Sequence, residues 1–297
     1  MRALNVLLDW FVNTNHAGFF VALHKNYYSG AGLDVNIYDN TQSIGGNGAA
    51  DITIAPQPSI LTGMDKGNKV TAVATLTQRN DSGILSLKQE GISNPKDLEG
   101  KRLSYWKTAW FDSIIGKAVN ENGGNYSNVR LIQKEVGDIE ASLGTEVDAV
   151  WIYKSWEYFV MQHAGIPVNY FELADYGSVY DYCAPAVVAT HELIDSAPNV
   201  LSAFLEQTRR GYVEAVKDPD AAAEILVQYM EKADKRDPEL VRDSLRYIST
   251  RFLNKNGQWG YIEPARWNAL ADYMVEQTLI KGRMNREFTN DFLKSTE

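Results

Sequence analysis

The chain has 297 residues, 44% of them hydrophobic, enough to fill a core in each of two lobes of ordinary size. A formal net charge of −9 without any stripe of basic residues argues against nucleic acid as a partner and gives no sign of anionic-lipid binding. One cysteine, Cys183, excludes an internal disulfide and, with four scattered histidines, makes a zinc site improbable; no apolar run approaches the roughly 18 residues of a spanning helix.

Residues 4–8 are an apolar run of strand length, and residues 18–27 carry apolar and aromatic side chains at helical spacing. Between them lies the loop DWFVNTNH, residues 9–16, polar and aromatic by turns. A strand delivers this loop to a sheet edge and a helix begins where it ends. Its side chains and the first unbonded N–H groups of the helix therefore face one space, as in small-molecule sites. A turn at residues 29–32 precedes a strand at 33–37. The glycine-rich stretch 39–50, with Gly45, Gly46 and Gly48, reads as a surface loop, with close approach of backbone to a ligand as the alternative. A third strand at 51–55 is broken by Pro56 and Pro58, and a helix follows over 59–66, in which Ser59 is either a simple cap or a ligand contact.

Apolar runs at 69–76 and 83–87 flank the polar connection 77–81, a natural place to pass from one lobe to the other. The second lobe alternates in its own right: a short helix and glycine stop before a strand ending at Tyr105, a helix over 111–122, and strands at 129–133, 148–152 and 169–172. A tyrosine-rich loop, 176–182, leads to a return strand at 186–189. From residue 192 the pattern is almost wholly helical, over 197–217, 220–233, 238–252 and 264–282, interrupted at Asp218-Pro219 and Asp237-Pro238. The expected architecture is α/β, with lobe one formed by 1–81 plus 188–297 and lobe two by 82–187. Two crossings make a hinge.

Five of the seven tryptophans fall at strand ends: Trp10, with Asp9, Asn13, Asn15 and His16; Trp106 and Trp110, after Tyr105; and Trp151 and Trp156, with Tyr153 and Glu157. Any single indole is ordinarily a core residue, but five so placed suit a planar ring with polar edges. Glu157 is either a hydrogen-bond acceptor for an exocyclic amine or a solvated glutamate favoured by a helix N-terminus. His16 has no adjacent nucleophile and reads as a hydrogen-bonding residue before a base. No nucleophile elbow, phosphate-binding glycine loop or paired-histidine helix is present, and Cys183 reads as a buried thiol, so nothing demands an enzyme or a cofactor.

The run LLDWFVNTNHAGFFVALHKNYYSGAGLDVNIY, followed in order by DITIAPQPSI, VTAVATLTQ, NPKDLEGKRLSYW and VDAVWIYKSWEY, resembles the substrate-binding proteins that deliver thiamine pyrimidine precursors to ABC importers. The resemblance implies a two-lobed periplasmic-binding-protein fold of type II with an interlobe ligand cleft, a monomer that closes on a small heterocyclic ligand, and an ABC permease as partner. It further implies an aminopyrimidine of the formylaminopyrimidine or hydroxymethylpyrimidine type, contacted by Trp10, Asn13, the turn from Pro56 to Ser59, Tyr105, Trp106 and Glu157; Tyr182, in the tyrosine-rich loop, is a further candidate ligand-binding residue. A periplasmic or lipid-tethered location would require a leader absent from this sequence. Riboflavin importer proteins and the eukaryotic pyrimidine-precursor synthases are relatives. At the positions of the synthases' cofactor lysine and sacrificial histidine this chain has Ala55 and Ser59.

Overall fold

A computed structural model describes residues 3–40, 42, 49–105, 108–133, 138–230 and 237–293, with Tyr105 described by its backbone only. The chain forms two compact units, one of residues 1–79, 182–271 and 280–297, the other of residues 80–181 and 272–279.

The strands are β1 (Ala3–Leu7), β2 (Asp34–Tyr38), β3 (Ile52–Ala55), β4 (Val70–Thr75), β5 (Ser82–Leu87), β6 (Arg102–Tyr105), β7 (Arg130–Gln133), β8 (Ala149–Tyr153), β9 (Val168–Glu172) and β10 (Ala186–Thr190). The helices are α1 (Ala17–His24), α2 (Tyr27–Gly30), α3 (Gln57–Asp65), α4 (Ala109–Glu121), α5 (Ile139–Ser142), α6 (Phe159–His163), α7 (His191–Ser196), α8 (Pro198–Lys217), α9 (Pro219–Tyr229), α10 (Pro238–Ser249) and α11 (Pro264–Glu276).

Unit one holds the sheet β2-β1-β3-β10-β4 and unit two the sheet β7-β6-β8-β5-β9. Both follow one plan. In sheet order the second strand of each, β1 or β6, lies parallel to its two neighbours, and the fourth is inserted antiparallel between the third strand and the edge. That strand is β10 in unit one and β5 in unit two. In β1 the alternation of Leu4 and Val6, both fully buried, with half-exposed neighbours follows the two-residue period of a strand with one face in the core.

The boundaries differ from the expected 1–81, 82–187 and 188–297, and the chain passes between units four times rather than twice. Hydrogen bonding accounts for the shift. The Asn80 N–H donates to Asp181 Oδ1 (2.8 Å) and Asn80 Nδ2 to the Tyr180 carbonyl (2.8 Å), so both segments belong to unit two. The Arg266 guanidinium donates to the carbonyls of Thr77 (2.8 Å) and Tyr182 (2.9 Å), which fixes those residues in unit one. The end of α11 goes with unit two, where the Tyr273 hydroxyl donates to the Ser113 carbonyl at 2.9 Å.

The helical tail begins where expected because its starts are written in the sequence. Pro198, Pro219, Pro238 and Pro264 occupy first positions, Asp218 caps α9 through the Ala221 N–H (3.0 Å), and Asp237 caps α10 through the Glu239 N–H (3.0 Å). The tail does more than clad the sheet. Gly260 and Phe288 form bridges to Thr75 and Ala72, which covers the outer edge of β4.

Candidate functional site

In each unit, two parallel strands bring their carboxyl ends to one sheet edge, beside loops that carry some of the expected ligand residues. In unit one, β1 and β3 run side by side with Leu7 opposite Thr53, so the loop 9–16 and the turn 56–59 leave the same sheet edge. In unit two, β6 and β8 are parallel with Leu103 opposite Ala149, so the segments after Tyr105 and Tyr153 also leave one edge. Strand carboxyl ends in such sheets are where side chains and helix N-termini converge.

The loop 9–16 is built from within. Asn13 caps a short 3-10 turn: its Oδ1 accepts from the Asn15 N–H (3.0 Å) and its Nδ2 donates to the Phe11 carbonyl (3.0 Å). His16, with no exposed surface, accepts from the Asn13 N–H at Nδ1 (3.3 Å). The ring proton therefore lies on Nε2, which faces Asp9 Oδ1 at 2.8 Å. The loop is anchored to the tail: the Tyr212 hydroxyl donates to the Asn15 carbonyl (2.6 Å), and the Thr14 and Ser244 hydroxyls meet at 2.7 Å. Burial pushes the Tyr212 hydroxyl well above its ordinary value and keeps it a donor. Asn13, Asn15 and His16 were expected to face a ligand; all three are buried, and the polar atoms of Asn13 and His16 shape the loop. Trp10 is turned the other way. It is 44% exposed, the one large hydrophobic side chain so placed among the described residues.

The turn after β3 has a different centre from the one expected. Pro56 is the N-cap of α3 and Ser59 lies on its exposed side, with its N–H on the Pro56 carbonyl (3.0 Å). Gln57, unremarked in the sequence, is fully buried between the segments it joins. Its N–H donates to the Cys183 carbonyl (2.9 Å), its Oε1 accepts from the Cys183 N–H (3.1 Å), and its Nε2 donates to the Trp267 carbonyl (2.7 Å). Two prolines drew attention to the turn, but nothing local distinguishes a glutamine that bonds residues more than a hundred positions away.

In unit two the described rings are buried or half-buried. Trp151 is not a loop residue: it lies in β8, 4% exposed, edge-on to Trp110 (5.9 Å, 80°) and against Phe111 (5.0 Å, 47°). Trp156 is also buried, Trp110 and Tyr153 are half-buried, and the buried Tyr182 belongs to unit one. Trp106, like Gly45, Gly46 and Gly48, lies outside the described residues.

After Tyr153 the chain forms a five-residue π-helix, Lys154–Tyr158, a rare element concentrated at functional sites. Glu157 projects from it, half-buried, with Oε2 withdrawn from solvent. Ser82, opposite Tyr153 in the β5–β8 pair, has a fully buried hydroxyl with no hydrogen-bond partner among the described residues, a polar group on the same face as Tyr153 that sequence pattern did not single out. Two open concavities lie elsewhere, one of about 520 Å³ beside Glu99, Asn128 and Arg130, the other of about 160 Å³ beside Val227 and Arg242.

Two sheets of one plan, each with an inserted antiparallel strand and loops at the parallel strand ends, define a periplasmic-binding-protein fold. The chain is similar to the alkanesulfonate-binding protein SsuA from Xanthomonas axonopodis pv. citri bound to MOPS, with a TM-score of 0.72 at 13% identity, covering 98% of each chain. It belongs to the NMT1/THI5-like family, whose pattern matches residues 13–222. Among its relatives it is 26% identical to a formylaminopyrimidine-binding protein of Halalkalibacterium halodurans, over 92% of this chain and 85% of that protein. It is 23% identical to a 4-amino-5-hydroxymethyl-2-methylpyrimidine phosphate synthase of Schizosaccharomyces pombe, over 98% of this chain and 86% of that one.

Proposed function

We propose that the chain is the substrate-binding component of an ABC importer, and that its ligand is a thiamine-related aminopyrimidine of the formylaminopyrimidine or hydroxymethylpyrimidine type. The observation that carries this reading is the exposed Trp10 ring on a loop whose neighbouring polar residues are buried and mutually bonded. A rigid loop presenting one indole face is suited to stacking on a flat heterocycle, at little entropic cost because the loop is already ordered. Kinship with a formylaminopyrimidine-binding protein supports the choice of ring. Glu157, in the π-helix Lys154–Tyr158, is the proposed acceptor for the exocyclic amine, a charge-assisted bond when the ring carries a proton.

The synthase relatives make turnover the competing reading, and two positions speak against it. The resemblance puts their cofactor lysine where this chain has Ala55, the last residue of β3, and alanine offers no amine for a Schiff base. Their sacrificial histidine corresponds to Ser59. His16 offers no substitute, since both ring nitrogens are engaged within its own loop. The protein is accordingly proposed to be a monomer that works outside the cytoplasmic membrane, free in a periplasm or held by a lipid, and that hands its ligand unchanged to a permease.

Mass spectrometry of whatever the purified, denatured protein releases tests the ligand class. A small aminopyrimidine at one per chain is the expected result. A released flavin would move the assignment to a riboflavin-type importer protein, and a pyridoxal adduct would move it to the synthases.

A further inference from the structure

We propose that Asp81 is a positioning residue for ligand recognition, holding in place the π-helical turn that carries Trp156 and Glu157; the inference rests on the ligand role proposed for Glu157. Asp81 is the second residue of unit two and has no exposed surface. Its Oδ2 accepts from the Ser155 N–H at 2.8 Å, and its carbonyl accepts from the Lys154 N–H at 3.1 Å. Both N–H groups lie in the first turn of Lys154–Tyr158, where they have no acceptor within the turn. A carboxylate is favoured at that end by the dipole of the turn.

The Tyr170 hydroxyl donates to the same Asp81 carbonyl at 2.6 Å, and the Lys154 ammonium lies over the rings of Tyr158 (5.0 Å) and Tyr170 (5.4 Å). The side-chain oxygen adds a directional hold on a conformation that the backbone does not favour by itself. The peptide it grips is two residues before Glu157. Its loss would leave Glu157 attached to the same chain but free to point elsewhere, and recognition by a single carboxylate tolerates little such drift.

The test is a double-mutant cycle on the full chain, with affinity for formylaminopyrimidine and backbone hydrogen exchange in the absence of ligand as readouts. Asp81→Ala should weaken binding about 10-fold in the wild-type background and no more than about 2-fold in Glu157→Gln, because a positioning role vanishes with the group positioned. Asp81→Asn, which keeps an oxygen acceptor, should restore most of the affinity. Without ligand, the Ser155 amide should exchange faster in Asp81→Ala than in the wild type. Equal losses in both backgrounds, or unchanged protection at Ser155, would overturn the proposal. If Asp81→Ala does not fold, Tyr170→Phe, which removes the hydroxyl from the Asp81 carbonyl, takes its place in the cycle under the same criteria. A wild-type protein that ignores the probe overturns the ligand reading, and this proposal with it, before any variant is made.

Discussion

With both its ring nitrogens engaged and no surface exposed, His16 is a keystone of the loop on which Trp10 stands. Replacing it with alanine should destabilise unit one by about 2–4 kcal/mol in urea denaturation, because it leaves the Asp9 carboxylate and the Asn13 N–H without their partner. Trp10→Ala should behave oppositely: its ring is exposed, so stability should change by no more than about 0.5 kcal/mol, while ligand affinity should fall about 10-fold or more by fluorescence or calorimetric titration. Glu157→Gln should weaken binding by about 1–3 kcal/mol through loss of a charge-assisted bond; unchanged affinity would remove it from the site. Sequence alone picked out the loop, since polar and aromatic residues between a strand and a helix are legible locally. It could not separate presenting from supporting residues there. The direction of Asn13 and His16 is set by hydrogen bonds within the turn, and the burial of Trp151 by its place in a strand whose face turns to α4.

At the scale of elements, α1 and α8 meet through glycine. A methyl group at Gly211 would lie 1.9 Å from the Gly18 carbonyl oxygen, and one at Gly18 would meet the Tyr212 ring at 2.1 Å. Gly211→Ala should force the helices apart, cost about 1–3 kcal/mol, and loosen the loop by drawing the Tyr212 hydroxyl away from Asn15. Both effects can be followed by denaturation and by hydrogen exchange of residues 13–16. The tail end depends on Glu287. Burial alone would raise its carboxyl, but donation from Arg283, the Met284 N–H and the Trp267 indole outweighs this and holds it below its ordinary value of 4.5. A group depressed in the native state stabilises fully above its unfolded value, and its contribution is lost as pH falls through the lower native one. The stability of unit one, followed from pH 7 down to about 3, should therefore decline below roughly pH 4.5, and Glu287→Gln should make that decline shallower. The long helices and most strands were readable from periodicity and from the Asp-Pro starts to within a few residues. The short α5, α6 and α7 and the π-helix were not. Elements of four to six residues contain no period to detect, and the π-helical turn depends on Asp81, more than seventy residues earlier.

For the whole molecule, the α/β class and the two-part division follow from the order of apolar runs, but the inserted strands do not. β5 and β10 read locally like any other strand, and only non-local pairing places each antiparallel beside the third strand of its sheet. The return of residues 272–279 to unit two was equally hidden, because α11 is one continuous amphipathic helix whose two ends serve different units. Family kinship reaches across both units and joins binding proteins to synthases, so it leaves one question that decides the account: whether the ligand is held or changed. The most direct measurement is calorimetric titration of the purified protein with formylaminopyrimidine, followed by mass spectrometry of the ligand recovered from the complex. Saturable one-to-one binding with the pyrimidine recovered unchanged is the predicted result. No heat of binding, or a recovered product differing from what was added, would contradict it.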